Sequence, residues 1–172
     1  MKQIIFLICL FFACCFVSAD AESDFQVGMD YYRYRNYKQA AVYLKKSAEQ
    51  GEPAAQYYLG LMYRYGNGVS IDYKKAFYLF KKSAEQGNAD AQVRLGRMYQ
   101  WGTGVRSNYR MAVFWYTKAS KQGNIFAQFS LGQMYHYGTG TPEDSLKSKY
   151  YINRAYKSRC SQDKEFWKKY NL

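Results

Sequence analysis

The chain has 172 residues, which is enough for one compact domain or one short repeat array. Hydrophobic residues make up 48% of it and include 20 Tyr and 11 Phe, which excludes extended disorder because disordered segments are poor in aromatic residues. A net charge of +12 would suit nucleic acid as a partner. The basic residues are spread along the chain, however, and an export signal precedes them. We therefore predict no nucleic-acid partner.

The first nineteen residues have the pattern of a secretory signal peptide. Lys2 precedes an uncharged apolar run from Ile4 to Val17, and small residues follow it. This run is short for a hydrocarbon core of ~30 Å at ~1.5 Å per helical residue. We predict cleavage after Ala19, a periplasmic or secreted protein, and no membrane span in the mature chain; an uncleaved anchor is the alternative. Cleavage would leave Cys160 as the only cysteine, so no internal disulfide could form.

A sequence repeat with a period of 36 residues dominates the rest of the chain. Each unit contains an Ala-x-x-x-Leu-Gly-x-Met-Tyr type segment, then a Gly-x-Gly pair, then a closing segment that ends in glycine. The first segments are 54–63, 90–99 and 126–135, the glycine pairs are 66–68, 102–104 and 138–140, and the closing segments are 47–51, 83–87 and 119–123. Three separate markers that keep one spacing indicate a structural repeat.

The residue types within each unit predict a pair of antiparallel helices. Ala55 and Leu59 recur at helical spacing on one apolar stripe. Gly60 lies inside this helix at a cost of about 1 kcal/mol relative to alanine, which predicts the close approach of a neighbouring helix. The Gly-x-Gly pair would end the first helix, and Asp72 and Asn108 are suitable N-caps for second helices. Because one hairpin cannot bury its own apolar face, successive hairpins are expected to stack.

These markers resemble the Sel1-like repeat, a relative of the tetratricopeptide repeat, over about residues 24–158. The resemblance implies an all-α, right-handed α/α solenoid of about four helix hairpins with a C-terminal capping helix, and a scaffold that binds other proteins. The first unit departs from the pattern, since residues 33–36 replace its glycine turn. The predicted segments are a signal peptide at 1–19, a repeat domain at 20–172 with repeats at about 24–53, 54–89, 90–125 and 126–160, and a cap at 161–172 that Ser161 begins.

Motifs for catalysis or metal binding are few. The Gly-x-Gly pairs lack the preceding strand and following lysine of a phosphate loop. Ser161 and Lys164 match the Ser-x-x-Lys of penicillin-recognising enzymes, but the partner motifs are missing. His136 is the only histidine, and no His/Cys spacing is typical of a metal site. We predict no enzymatic activity, no metal and no cofactor. A β-lactamase-like or penicillin-binding enzyme, as implied by cysteine-rich relatives of the family, and a module that binds anionic glycan or peptidoglycan are the alternatives.

The resemblance also implies where a partner would bind. In related helix-hairpin solenoids the first helix of each unit lines a concave groove, and the arginines at these positions favour an acidic protein or peptide. The alternative is that several aromatic residues belong to the core between repeats, above all Tyr65, Trp101 and Tyr137. The predicted groove residues are Phe25, Met29, Tyr32, Arg33, Tyr57, Leu61, Arg64, Tyr65, Val93, Arg97, Gln100, Trp101, Phe129, Gln133, His136 and Tyr137.

Overall fold

A computed structural model describes the backbone of residues 20–170 and the side chains of residues 20–158. The predicted signal peptide lies outside the described residues. Within the described range all regular structure is helical, and no helix there is long and apolar enough to cross a membrane. The helices are α1 (20–33), α2 (Tyr37–Glu49), α3 (Pro53–Tyr65), α4 (Tyr73–Glu85), α5 (Ala89–Trp101), α6 (Tyr109–Lys121), α7 (Ile125–His136) and α8 (Ser145–Tyr170).

The second helix of a hairpin begins at a side chain that caps its backbone. The Asp72 carboxylate accepts a hydrogen bond from the backbone N–H of Lys75 at 2.9 Å, and this bond holds the pKa of Asp72 below its usual value. Asn108 accepts from the backbone N–H of Met111 at 3.1 Å in the same way. The two predicted N-caps are therefore confirmed, and each satisfies an N–H that has no partner within the helix.

The turns inside the hairpins depend on left-handed backbone. Gly66 ends α3 with φ 73°, and its N–H donates to the carbonyl of Met62 at 2.8 Å. This conformation is the one that a glycine cap provides, as predicted. In the first hairpin Arg35 takes the left-handed conformation with φ 59°, alone among the described non-glycine residues. The shorter first turn thus reaches the same geometry without a glycine.

The second glycine of the turn lies against the preceding hairpin. A Cβ atom built on Gly68 would lie 2.4 Å from the carbonyl carbon and oxygen of Tyr37, at the start of α2. Gly140 has the same relation to Tyr109 at the start of α6, with 2.5 Å to its carbonyl carbon. Each turn therefore fits onto the beginning of the second helix of the hairpin before it, and only glycine leaves the room.

The helical glycine of each hairpin accommodates a large side chain from the second helix. A Cβ on Gly60 would lie 2.8 Å from the Phe80 ring, and one on Gly96 would lie 2.8 Å from the Tyr116 ring. Close approach of a neighbouring helix is the reason predicted for a glycine inside this helix, and it is confirmed. The same pairing occurs in all four hairpins: Gly28 with Leu44, Gly60 with Phe80, Gly96 with Tyr116, and Gly132 with Ile152.

The chain divides into two compact units, which meet between Asn88 and Ala89 and hold two hairpins each. In the N-terminal unit, α3 covers the first hairpin with Ala55, Leu59 and Met62, which pack on Leu44 of α2 and its neighbours. In the C-terminal unit, α7 covers the third hairpin with the residues at the same repeat positions, which pack on Tyr116 of α6. The predicted fold class, an all-α solenoid of helix hairpins, is confirmed.

The end of the fourth hairpin differs from the others. Earlier second helices stop before a left-handed glycine, at Gly51, Gly87 and Gly123. At the matching position stands Arg159, and α8 continues without a break to Tyr170. Residues 161–170 are helical, as expected for the cap, but they extend α8, so Ser161 does not begin a helix.

Candidate functional site

The predicted groove residues of the N-terminal unit form an aromatic cluster between α1 and α3. Phe25 and Tyr32 lie 6.1 Å and 5.5 Å from Tyr58, measured between ring centroids, and Tyr57 lies 5.3 Å from it. All four rings are partly buried, and desolvation raises the pKa of Tyr32. Tyr58 is missing from the predicted set although it joins the other three. These rings therefore pack α1 against α3, and only their exposed parts are available to a partner.

The arginines of this unit have partners of their own. Arg33 is exposed and forms an ion pair with Asp30 at 3.2 Å. The Arg64 guanidinium lies 5.6 Å from the centre of the exposed Tyr65 ring. Its Nε is buried without a hydrogen-bond partner among the described residues. Both arginines therefore contact neighbouring side chains within the unit.

In the C-terminal unit, Tyr116 of α6 ties α5 to α7. The Tyr116 hydroxyl donates to the side-chain oxygen of Gln100 on α5 at 2.8 Å. The Tyr116 hydroxyl also forms a side-chain hydrogen bond with Ser130 on α7. Val93 of α5 packs into one cluster with α7 residues such as Leu131. The solvent-facing sides of α5 and α7 therefore lie next to each other.

That shared face carries the exposed members of the predicted set. Trp101 and Tyr137 are 71% and 72% exposed, and Arg97, Gln133 and His136 are exposed too. The centroids of the His136 and Tyr137 rings are 4.6 Å apart. Arg97 forms no ion pair within the described side chains. We call Arg97, Trp101, Gln133, His136 and Tyr137 the basic–aromatic surface.

The structure separates the predicted groove residues by exposure. Met29, Leu61 and Val93 are buried, and Gln100 is held by Tyr116. The sequence alone leaves open whether Tyr65, Trp101 and Tyr137 belong to the core between repeats. All three side chains are exposed. Phe129 is half exposed and lies beside an apolar pocket rather than among the charged groups.

Desolvation of Tyr116 leads to a prediction about its titration. Burial raises the pKa of this phenol to about 12. The folded chain therefore holds this proton more tightly than the unfolded chain, where the pKa is about 10. Its contribution to the free energy of unfolding is complete below pH ~10 and is lost as the pH rises through about 12. NMR of protein labelled with ¹³C at tyrosine Cζ should show a resonance that titrates later than the other tyrosines and that Tyr116→Phe removes; titration of that resonance near pH ~10 would contradict the burial.

The described residues offer little for chemistry. They contain no group of three or more His, Cys, Asp or Glu side chains placed to hold a metal ion. Their polar groups serve caps, turns and the packing of hairpins. The arrangement can supply exposed aromatic area beside a free guanidinium, and this combination suits the recognition of another macromolecule.

The fold defines a helix-hairpin repeat protein. The model of the Sel1 repeat family matches four times, at residues 21–52, 53–88, 89–124 and 125–159. The chain therefore belongs to the Sel1 repeat family, whose proteins are scaffolds for protein–protein interactions. No curated protein matches the chain.

Solved structures agree with this assignment. A Sel1 repeat protein from Oxalobacter formigenes is 34% identical, over 78% of this chain and 53% of that one, with a TM-score of 0.73. The chain is also similar to c5321, a protective antigen of uropathogenic Escherichia coli that displays an SLR fold. The two are 28% identical over 80% of this chain and 38% of c5321, with a TM-score of 0.61. An immunity protein from Pseudomonas aeruginosa, Pa5087, is 28% identical over 67% of this chain and 44% of Pa5087, with a TM-score of 0.51. The chain thus spans about half or less of the length of these relatives.

Proposed function

We propose that the chain is an exported adaptor whose basic–aromatic surface binds an acidic, extended segment of a partner protein. The observation that carries this proposal is the exposure of Trp101 and Tyr137 on the face that also presents Arg97. Tryptophan, tyrosine and arginine are the residues most enriched at binding hot spots. Large aromatic side chains in water lose no packing when a partner arrives, and they gain the burial of their apolar area.

The charge of the C-terminal unit favours an acidic partner. Between residues 89 and 158 stand ten Lys or Arg residues and three Asp or Glu residues. Arg97 has no carboxylate partner in that range, so it needs no rearrangement before it pairs with one from outside. Such attraction raises the association rate, and it weakens when salt screens exposed charges.

The start of the fold supports export with cleavage after Ala19. The family match begins at residue 21, and Ala21 is buried with its carbonyl accepting a hydrogen bond from Ser47 at 2.7 Å. The Asp24 carboxylate, also near the start of α1, accepts hydrogen bonds from Lys46 and Gln50 at 3.1 Å each. Cleavage after Ala19 would leave all of these contacts in place.

The test is a binding experiment with two matched double variants. The full chain is expressed with its own first nineteen residues, and the intact mass of the purified protein reports whether cleavage follows Ala19. The Arg97→Ala/Trp101→Ala variant is compared with Lys118→Ala/Phe114→Ala, which removes one cation and one exposed ring from α6 of the same unit. Partners captured from an envelope extract are identified, purified and titrated by calorimetry at low and high salt.

We expect the Arg97/Trp101 variant to bind the purified partner about 30-fold more weakly, and the α6 variant to bind within about twofold of the parent. The affinity of the parent should fall as salt rises. Thermal unfolding of both variants shows whether they remain folded. Equal affinity of the parent and the Arg97/Trp101 variant would refute the proposed surface.

A further inference from the structure

A second surface lies at the end of the C-terminal unit, between α7 and α8. It is an apolar pocket of about 460 Å³, open to solvent. The Phe126 and Tyr156 side chains are largely exposed there, at 76% and 68%. The lining residues are Ile125, Phe126, Phe129, Ile152, Ala155 and Tyr156. Exposed aromatic side chains around an apolar pocket offer area that a partner could bury.

The repeat register explains why this surface is open. Ile152 occupies the position of Leu44 and Tyr116, which are fully buried, yet it is 38% exposed. Leu44 is covered by α3 and Tyr116 by α7, each the first helix of the hairpin that follows. No such helix follows the fourth hairpin within the described residues, because α8 continues as one helix to residue 170.

A buried amide also distinguishes the fourth hairpin from the third. In the third hairpin the Gln92 side-chain oxygen accepts a hydrogen bond from Gln122 at 2.9 Å. The equivalent of Gln92 in the fourth hairpin is Gln128, which is 1% exposed, and Ser158 stands where the second glutamine would be. Neither the nitrogen nor the oxygen of the Gln128 amide has a hydrogen-bond partner among the described residues. Buried amides without partners are rare and costly. The missing partner would belong to α8 of the same hairpin, and Gln128 does not line the pocket, so the docking argument depends on the apolar surface alone.

We propose that this pocket binds one amphipathic helix of a partner protein, which takes the place of the first helix of a fifth hairpin. The helix would present an alanine, leucine and methionine stripe with the spacing of Ala55, Leu59 and Met62, the residues with which α3 covers the first hairpin. The flanks of that helix would be acidic. The described part of α8 carries Lys147, Lys149, Arg154 and Lys157 and no Asp or Glu, and of these four cations only Lys147 forms an ion pair, with Asp144 just before the helix.

A second copy of the chain fits this pocket poorly. The helix that it would offer is α1, and at the three stripe positions α1 carries Ser23, Val27 and Asp30. Burial of the Asp30 carboxylate against Phe126 and Ile152 would desolvate its ion pair with Arg33, and the pocket lining offers no charged group to either member of that pair. Association through two copies of the pocket would instead bring two sets of like charges together. An acidic amphipathic helix from another protein avoids both costs.

The test uses stapled helical peptides, because a preformed helix avoids the entropic cost of ordering. The first probe carries the Ala-Leu-Met stripe on a glutamate-rich helix, the second has lysine in place of glutamate, and the third has the Ser-Val-Asp stripe of α1. Fluorescence anisotropy measures their binding to the purified protein. Phe126→Asp and Tyr156→Asp are the pocket variants, and Tyr78→Asp, an exposed ring on α4, is the matched control.

We expect the glutamate probe to bind the parent at least about tenfold more tightly than the other two probes. Each pocket variant should lose at least about tenfold in affinity, while Tyr78→Asp and Arg97→Ala/Trp101→Ala should keep the parental value. The last variant separates this site from the basic–aromatic surface. Absence of binding by the glutamate probe at ~0.2 mM, or equal binding by the lysine probe, would overturn the proposal. Self-association in sedimentation velocity that Phe126→Asp abolishes would overturn it in favour of a second copy.

Discussion

Replacement of Phe80 by alanine should lower the free energy of unfolding by about 3–5 kcal/mol. The Phe80 ring is fully buried, lies against the backbone of Gly60 and packs 5.9 Å from the Tyr57 ring, measured between centroids. Because Gly60 has no side chain, nothing on that side can move in to fill the space left by the ring. The cavity should therefore persist, and the cost should lie at the upper end for such substitutions.

Urea unfolding monitored by circular dichroism gives this value, with Tyr78→Ala as the control on the same helix. Tyr78 is more than half exposed, so we expect a change within about 1 kcal/mol there. A double-mutant cycle adds a sharper test. Gly60→Ala alone should destabilise the protein because its Cβ overlaps the ring, whereas in the Phe80→Ala background the same methyl group should stabilise it. Additive effects of the two substitutions would show that the glycine and the ring are not coupled.

Replacement of Gly68 by alanine should lower the free energy of unfolding by about 2–4 kcal/mol. Two costs combine at this position. The left-handed backbone, φ 72°, is unfavourable for any residue with a Cβ atom, by about 1–2 kcal/mol. The new Cβ would also overlap the carbonyl group of Tyr37, and backbone atoms cannot rotate away as a side chain does.

Gly87→Ala is the matched control for this substitution. Gly87 has φ 98°, and a Cβ atom there would have no other atom within 4 Å. It should therefore show only the conformational cost, about 1–2 kcal/mol. The difference between the two variants, measured by urea unfolding, reports the contact between one hairpin and the next. Equal destabilisation by the two substitutions would mean that the Gly68 turn can lift away from Tyr37 at no cost.

Sequence predicts the elements of this fold well because the signals for them are local. Asp72 and Asn108 cap helices through hydrogen bonds to residues three positions on, and Gly66 ends a helix through its own φ angle. The role of Gly60 is also readable from sequence, since glycine inside a helix is costly without a close neighbour. The uninterrupted length of α8 has a signal as well: residues 158 and 159 lack the Gln-Gly pair that ends the earlier second helices.

The exposure of individual groove residues is harder to predict, because it depends on the neighbouring hairpin. Val93 and Phe129 hold the same repeat position, yet Val93 packs against α7 while Phe129 is half exposed. Tyr57 and Tyr58 are adjacent aromatic residues in one helix, and periodicity alone does not show that Tyr58 contacts Phe25 and Tyr32. The pocket between α7 and α8 escapes sequence analysis for the same reason, since it depends on which described helix covers the fourth hairpin.

The contact of Gly68 and Gly140 with the preceding hairpin bears on how such a chain can change its length. The atoms that they meet at Tyr37 and Tyr109 are main-chain atoms and, at Tyr109, a Cβ, which every residue but glycine possesses. This backbone contact therefore places almost no demand on side-chain identity beyond the glycine itself. Duplication or deletion of a 36-residue block in the gene would recreate the contact at once, while exposed side chains remain free to diverge. Selection can in this way alter the number of hairpins and the chemistry of their faces independently.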